Sequence, residues 1–452
     1  MDLHADTLHR IVRGEKPPGR RFEAGPDRQQ EGGPDVQFYA IWVPPWARDP
    51  AAEAAAEFQA FRRMLEDGAP GLEQARTVAD VRRILAAGRK AAMLGMEGGN
   101  ALGGDPENLR EAWKNGVRYL SPTWNRTGDF GTRADVPGRG GLTGKGRRLV
   151  SLMNELGVVP DVSHASPETF WDVVTSSRKP VIVSHTDAAA IRPHRRNVDD
   201  VQAWAIADSG GVVGVAFHST FLRAGQGRAT VDDVVAHVAH LVKVAGIRHV
   251  ALGSDFDGGI RPPTGLDDAS RIRVLAAALS GRGFRPEETR AILGENVLRV
   301  LDETESGVAP VRVTHRPVPA TVVAASVDRD RSRYALDRNT RTAWALRDPA
   351  RAVGQFLELR PARGGIDRVS LCTAGPDGPG GIRAVRVVAR CRAPGMEYDV
   401  PATLTEEVRP HRVSLPGLST CTRPRIRLEI SSIAPGARVV RLSEVVVERS
   451  GP

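Results

Sequence analysis

Short apolar runs that end on a histidine or a carboxylate recur along the first 300 residues of this chain. The polar residues at the ends of these runs are His4 and Asp6, Glu97, His164, His185, His218 and Asp255. Buried strands that each deliver a polar side chain are typical of a parallel β/α protein with its chemistry at one end of the sheet. We therefore expect these imidazoles and carboxylates to meet in space.

Eight candidate strands alternate with amphipathic, helical stretches between residues 1 and 303. The strands are Asp2–Asp6, Val36–Val43, Ala91–Glu97, Val117–Thr123, Val158–Ser163, Val181–Ser184, Val212–Phe217 and Val250–Ser254. Eight strands with intervening helices favour an α/β fold of the (β/α)8 TIM-like barrel type over an open doubly wound sheet. The first strand has only three residues before His4, so either the barrel closes with a short strand or the true start lies upstream.

The composition and the pattern of the sequence change after Glu303. Residues 304–319 are rich in Pro, Val and Gly without periodicity, which predicts a linker. Residues 320–452 hold short alternating runs separated by Pro, Gly and Asp, which predicts an all-β sandwich. We therefore expect a barrel at 1–303, a linker at 304–319 and a sandwich at 320–452.

Composition excludes several classes of function. The formal net charge is +9, but the arginines are spread over both halves and aromatic residues are only 5%, which argues against nucleic-acid binding. His4 and Asp6 already stand where a signal peptide would begin, and no run of 18 apolar residues could span a membrane. We expect a cytoplasmic protein, with secretion left open if the start is set too late.

The polar residues at the strand ends suit metal binding. His4 and Asp6 are two apart on a strand, so their side chains point the same way, and both offer atoms that zinc accepts. Any one of these residues could instead bond to backbone or cap a loop, but their shared position favours a metal site. Three histidines and two or three carboxylates exceed what one tetrahedral ion needs, which predicts two ions and a bridging carboxylate.

Seven short motifs carry a specific family resemblance. They are Asp2–Thr7, Gly95–Gly99, Gly141–Gly146, Asp161–His164, Ser184-His185, Arg195–Asn197 and Gly253–Gly258. In this order, over about residues 1–300, they resemble the renal (membrane) dipeptidase family of zinc peptidases. The resemblance implies a binuclear zinc (β/α)8 barrel of the metal-dependent hydrolase type, which cleaves dipeptides, often L-Xaa-D-Xaa, through a metal-bridging hydroxide.

The resemblance also implies roles for individual residues. His4 and Asp6 would bind one Zn²⁺, His164 and His185 the second, and Glu97 would bridge the two. Asp255 would stand beside the bridging hydroxide and handle its proton, or pair with the free amino group of the substrate. Arg196 would receive the terminal carboxylate of the dipeptide, with Asn197 beside it.

One residue departs from the pattern of the family's animal members. They have a histidine after the fourth strand, and Trp124 stands at that position here, as in many microbial relatives. An indole donates a single hydrogen bond and carries no charge, so we expect weaker carbonyl polarisation or compensation by Asn125. Trp124 and Asn125 are therefore substrate-binding candidates. His194 is interpreted as a supporting or surface group.

The C-terminal part has a shorter resemblance. Ala335–Trp344 and Gln355–Leu359 resemble the discoidin-like (coagulation-factor type C) β-sandwich family, which implies a carbohydrate or surface ligand or a purely stabilising domain. A homodimer is also implied by the peptidase family. Two alternatives to a dipeptidase stay open: an amidohydrolase of another small amide, such as an N-acyl amino acid, and a non-catalytic binding protein that attaches through the sandwich.

Overall fold

The structure is a computed structural model. It describes residues 1–15, 22–67, 71–125, 128–136, 140–307 and 313, and beyond these the C-terminal strands given below with Leu415. The chain forms two compact units, and the first contains Met1–Val198 and Ala205–Val313.

Short parallel strands form the centre of the first unit. They are β1 (Val36–Trp42), β2 (Leu72–Gln74), β3 (Lys90–Glu97), β4 (Val117–Ser121), β5 (Val159–Pro160), β6 (Val183–Thr186), β7 (Val213–Val215) and β8 (Val250–Leu252). Strands β1, β3, β4 and β5 pair in that order, as do β6, β7 and β8, and Asp161 joins β5 to β6 by pairing with Ile182. Strand β2, which the sequence did not predict, pairs beside β3.

The N-terminal segment closes the barrel. Asp2 pairs in parallel with Gln37 of β1, and Ala5 pairs in parallel with Phe256 just after β8. The backbone N–H of Leu3 also donates to the carbonyl of Leu252. The segment makes isolated bridges rather than a full strand, so the predicted strand Asp2–Asp6 is present only as this short closure. With it, the described residues complete a ring of eight parallel segments, and the TIM-like barrel prediction is confirmed.

Helices surround the ring. They are α1 (Thr7–Val12), α2 (Pro26–Gln30), α3 (Pro50–Asp67), α4 (Val78–Ala86), α5 (Leu109–Asn115), α6 (Gly144–Leu156), α7 (Pro167–Ser176), α8 (Asp200–Asp208), α9 (Ser219–Leu222), α10 (Val231–Ala245), α11 (Val274–Gly281), α12 (Pro286–Arg290) and α13 (Asn296–Ser306). Ser166 caps α7 by accepting from the N–H of Thr169, as the Ser-Pro-Glu sequence predicts. No described helix is long and apolar enough to cross a membrane.

Apolar residues on both faces of the strands hold the barrel together. Neighbouring residues on a strand point to opposite faces, so Phe38 and Met93 join one buried cluster while Tyr39 and Leu94 join another. The first cluster draws side chains from most of the ring, and the second packs against α3, α5 and α6. Burial on both faces explains why the strands read as continuous apolar runs in the sequence.

The second unit contains antiparallel strands. They are β9 (His315–Pro317), β10 (Ala320–Ala325), β11 (Trp344–Leu346), β12 (Phe356–Pro361), β13 (Arg368–Cys372), β14 (Ile382–Arg390), β15 (Glu397–Thr403), β16 (His411–Ser414), β17 (Arg425–Ile433), β18 (Val440–Leu442) and β19 (Glu444–Ser450). The larger sheets run β10-β12-β17-β14-β15 and β16-β13-β19-β9. The all-β prediction is confirmed, whereas most of the Ala335–Trp344 motif lies outside the described residues.

The predicted linker at 304–319 differs from the structure in two places. Helix α13 continues to Ser306, three residues past the predicted end of the barrel domain, and β9 at His315–Pro317 pairs with β19. Both segments lack a long apolar pattern, which is why the sequence did not show them. The domain boundaries themselves stay a prediction.

Candidate metal centre

The strand-end residues meet at the carboxyl end of the barrel. Glu97 is the last residue of β3, His185 lies in β6, His164 follows β5, and Asp255 follows β8. His4 and Asp6 come from the closing segment, and His4 is fully buried. Parallel strands present their ends at one face, so residues that lie up to 250 positions apart in the chain surround one point.

One group of three ligand atoms joins Glu97 to two histidines. Glu97 Oε1 lies 2.9 Å from His164 Nε2 and 3.3 Å from His185 Nε2, and the two Nε2 atoms are 3.0 Å apart. The other ring nitrogen of His164 lies 2.8 Å from Asn125 Oδ1, which can only accept, so we assign the ring proton to Nδ1. The Nε2 lone pair of His164 is therefore directed at the carboxylate of Glu97, an arrangement that suits a cation between them.

A buried carboxylate fixes the orientation of His185. The hydroxyl of Ser184 donates to Asp161 Oδ2 at 2.6 Å, and Ser184 Oγ lies 2.9 Å from His185 Nδ1. Because the serine proton is committed to Asp161, Ser184 Oγ accepts from His185 Nδ1–H, which leaves Nε2 as a free ligand atom. Such supporting hydrogen bonds set the tautomer and basicity of metal-binding histidines.

A second group shares Glu97 with the closing segment. His4 Nε2 lies 3.6 Å from Asp6 Oδ2 and 3.7 Å from Glu97 Oε1. His4 Nε2 and Asp6 Oδ1 are buried atoms without a hydrogen-bond partner among the described residues. Buried polar atoms are normally satisfied, so these two atoms suit a positive ligand such as a metal ion. Ligand atoms of each group lie within 4.8 Å of one another.

The orientation of His4 depends on a tyrosine of the barrel interior. Tyr119 on β4 places its hydroxyl 2.7 Å from His4 Nδ1. The tyrosine ring reaches this point over Gly95, where an added Cβ would lie 2.0 Å from Tyr119 Cζ. A side chain at position 95 would therefore displace the support of His4.

Burial perturbs the pKa values of five titratable groups of the centre: His4, Glu97, His164, His185 and Asp255. Burial, reinforced by the Asp6 carboxylate, raises the pKa of Glu97 well above its usual value and that of Asp255 to about 8. Burial lowers the pKa of His164 and His185 well below the usual value, so both are neutral and able to bind metal. Burial opposes protonation of His4, yet the carboxylates of Asp6 and Glu97 raise its pKa to about 10. A divalent cation would favour the ionised forms of Glu97 and Asp255 and take the place of the proton on His4.

Backbone strain is concentrated at the same place. His164 and Asp255 have φ of 65° and 66°, in the left-handed region that non-glycine residues rarely adopt. Each turns its side chain from the strand end into the centre. Strain of this kind is found where function requires a fixed geometry.

The centre opens into a cavity of about 730 Å³. Arg196 on its wall is buried, and its guanidinium carbon lies 5.6 Å from the centre of the Phe221 ring. Arg196 Nη2 donates to the carbonyl of His185 at 3.4 Å, which leaves most of the guanidinium fork for a ligand. The cavity is of the size expected for a small-molecule site.

The structure separates the other predicted substrate residues into two kinds. Trp124 and Asn125 line the cavity, and the Trp124 ring lies 4.7 Å from the Trp42 ring and 6.1 Å from the His164 ring. Asn197 is not among the described residues that line it. The Asn197 amide nitrogen donates to the carbonyls of Arg192 and Phe221, both at 2.8 Å, which supports the Arg196 loop, and its role as a substrate-binding residue stays a prediction.

Sequence reasoning missed several cavity residues. His194, interpreted as a supporting or surface group, lines the cavity and packs on Phe221 with the rings 4.6 Å apart. Tyr119, Asp161 and Ser184 act by contacts across the barrel, which no local pattern reveals. The strand-end position of His218, which also lines the cavity, was the one available signal for this wall.

A parallel β/α barrel with buried histidines and carboxylates at its carboxyl face defines the class of metal-dependent hydrolase barrels. Comparison with known proteins gives the family. The model described as "Membrane dipeptidase (Peptidase family M19)" matches residues 2–312. The chain belongs to peptidase family M19.

Individual relatives agree with this assignment. An uncharacterized dipeptidase of Schizosaccharomyces pombe is 39% identical over 225 residues, which cover 48% of this chain and 54% of the relative. The dipeptidase tcpJ of Claviceps purpurea is 35% identical over 247 residues, 54% of this chain and 58% of the relative. The chain therefore spans little more than half the length of these relatives.

A solved structure is also similar. A metallopeptidase from Rhodobacter sphaeroides, liganded with a phosphinate mimic of the dipeptide L-Ala-D-Ala, is 30% identical with a TM-score of 0.61. The match covers 67% of this chain and 98% of that one.

Proposed function

We propose that the barrel is a zinc-dependent dipeptidase that hydrolyses the amide bond of a dipeptide. The observation that carries the proposal is the shared position of Glu97, whose carboxylate belongs to both groups of converging ligand atoms. Two ions about one bridging carboxylate form a site for hydrolysis of a carbonyl substrate.

The residues of the centre divide between two zinc ions. His4 and Asp6 would hold one ion, His164 and His185 the other, and Glu97 both. Bound zinc would activate a water molecule at neutral pH and polarise the carbonyl oxygen of the substrate. Asp255 lies 4.0 Å from His4 Nε2 and faces the same point, so its carboxylate takes the proton of the attacking water and returns it to the leaving amine.

Arg196 would fix the orientation of the substrate. Its guanidinium fork matches a terminal carboxylate, and its place beside His185 sets the distance from that carboxylate to the scissile bond. Trp124 replaces the carbonyl-contacting histidine of the animal members, while Asn125 holds His164. From the ligand of the Rhodobacter sphaeroides neighbour we infer L-Xaa-D-Xaa dipeptides as substrates.

Paired arginine variants test the proposal. Arg196→Met should lower kcat/KM for L-Ala-D-Ala about a hundredfold, because a charge-assisted bidentate contact to the carboxylate is lost. Arg223→Met is the matched control, since Arg223 is exposed, lies 4.0 Å from Asp233 and is not among the described residues that line the cavity. Equal activity of both variants and the wild type would refute the carboxylate contact.

The same variants separate the dipeptidase from an amidohydrolase of another small amide. An N-acyl amino acid amide lacks the terminal carboxylate, so Arg196→Met should not change the kcat/KM for its hydrolysis. Wild-type protein that binds zinc but cleaves no amide in such a panel would favour the non-catalytic alternative. The homodimer, the ligand of the C-terminal unit and the cytoplasmic location stay predictions.

A further inference from the structure

A histidine on helix α1, paired with a buried glutamate on α3, faces the cavity. His9 lies three residues after Asp6, and its imidazole lines the cavity. Its Nδ1 lies 3.0 Å from Glu57 Oε1, and Glu57 on α3 is only 1% exposed. Glu57 Oε2 accepts from the backbone N–H of Trp42 at 2.8 Å. One buried carboxylate therefore fixes two residues of the cavity wall, His9 and Trp42.

The hydrogen bonds determine what His9 offers to a ligand. Above its pKa of about 7 the carboxyl group of Glu57 is ionised and only accepts, so the ring proton then lies on His9 Nδ1 and Nε2 carries a lone pair. The Trp42 ring stands edge-on to the His9 ring at 4.4 Å and limits its rotation. No bond from a described residue to His9 Nε2 is present, so the basic edge of the ring is available to the cavity.

The cavity is electrostatically divided. Glu15 and Glu23 line it on the side of His9, and the nearby cation Arg10 is paired with Asp257 at 3.2 Å and Glu15 at 3.6 Å. A second set of cavity residues bears nitrogen atoms: His194, Arg196 and His218, which all pack on Phe221, and Arg195. A zwitterion with its carboxylate at Arg196 would turn its cationic end away from this set and toward the carboxylates that share the cavity with His9.

We propose that His9, held by Glu57, accepts a hydrogen bond from a cationic N–H group on the N-terminal residue of the substrate. This inference rests on the proposed dipeptidase function. Both the α-ammonium group and a side-chain ammonium group have this chemistry. Glu57 is a positioning residue, because it acts through the tautomer of His9.

Two substitutions test the roles separately. His9→Phe keeps an aromatic ring against Trp42 and removes the acceptor. In Glu57→Gln the Trp42 N–H requires the amide oxygen, so the amide NH₂ faces His9 Nδ1 and moves the ring proton to Nε2, which turns the acceptor into a donor. Glu53→Gln is the matched control, one helical turn away on α3 and paired with Arg13 at the surface.

The assay compares substrate pairs that differ by one ammonium group. L-Ala-D-Ala against propionyl-D-Ala reports the α-ammonium, and L-Lys-D-Ala against L-norleucyl-D-Ala reports a side-chain ammonium. For each pair, the kcat/KM of the compound with the ammonium group is divided by that of the compound without it. This ratio should fall about tenfold or more for one pair in His9→Phe and in Glu57→Gln, and stay at the wild-type value in Glu53→Gln. The pair that responds identifies the group that His9 binds.

Two results would overturn the inference, and they differ. A folded, zinc-loaded His9→Phe variant with the activity of the wild type and both kcat/KM ratios unchanged would refute the role of His9. The proposed dipeptidase function would not be affected by that result. A zinc-loaded wild type that cleaves none of the four compounds would refute the proposed function, and the inference with it.

Discussion

Gly258→Ala is the smallest change that should disable the centre. A Cβ at position 258 would lie 2.5 Å from Asp6 Oδ2 and 2.5 Å from Asp255 Oδ1. The φ of Gly258 lies outside the left-handed region, so the methyl group acts through space and not through backbone strain. The substitution therefore reports on these two carboxylates.

The expected magnitude follows from the contacts. Ordinary van der Waals contact begins at 3.4 Å, so each oxygen must move by about 0.9 Å. Metal–ligand distances tolerate about 0.2 Å, and a displacement of about 1 Å at a reacting centre costs about a hundredfold in rate. We expect kcat/KM for L-Ala-D-Ala to fall about a hundredfold, with reduced zinc content after dialysis.

The assay needs zinc content, kinetics and a melting temperature for each variant. Gly281→Ala is the matched control, because a Cβ there meets nothing within 4 Å at the end of α11. It should keep full zinc and full activity. Wild-type zinc content and kcat/KM in Gly258→Ala would refute the roles proposed for Asp6 as a zinc ligand and Asp255 as the proton acceptor.

Three further predictions concern buried groups that support a histidine of the centre or of the cavity wall. Tyr119→Phe removes the hydroxyl 2.7 Å from His4 Nδ1, and zinc affinity measured by competition with a chelator should fall about tenfold. Asp161→Asn disturbs the Ser184 hydroxyl that orients His185, and zinc affinity should fall about 10- to 100-fold in the same measurement. Unchanged zinc affinity in either variant would contradict the support assigned to His4 or to His185. Burial raises the pKa of Glu57 to about 7 from 4.5, so the folded state binds this proton more tightly than the unfolded state. As the pH rises from 4.5 through 7, the free energy of unfolding of the wild type should fall by up to about 3 kcal/mol relative to that of Glu57→Gln. A difference in melting temperature between the two proteins that stays constant from pH 5 to pH 8 would argue against the buried carboxyl group.

The convergence of the candidate ligands could be predicted from sequence because their signal is local. Glu97, His164, His185 and Asp255 each follow an apolar run, and parallel topology brings the ends of such runs together. The barrel was predictable for the same reason, since the strand runs and the helical stretches have different periods.

The geometry that makes the ligands usable was not predictable in this way. The left-handed φ of His164 and Asp255 results from tertiary constraint, as neither residue type requires it. Tyr119 reaches His4 only because Gly95 on the adjacent strand leaves room, which is a relation between positions 24 residues apart. The pairing of His9 with Glu57 likewise joins two helices.

Asn197 shows what a motif leaves open. It adjoins Arg196 in the sequence, but its amide nitrogen donates to two backbone carbonyls, and it is not among the described residues that line the cavity. Adjacent residues in a loop point in different directions, so a motif identifies the loop but not the role of each member.

Anomalous X-ray scattering at the zinc edge, from crystals of the zinc-loaded protein, can locate the two proposed ions. We expect two peaks on either side of the Glu97 carboxylate, one bounded by His4 and Asp6 and the other by His164 and His185. A single peak, or none at these residues, would contradict the two-metal centre.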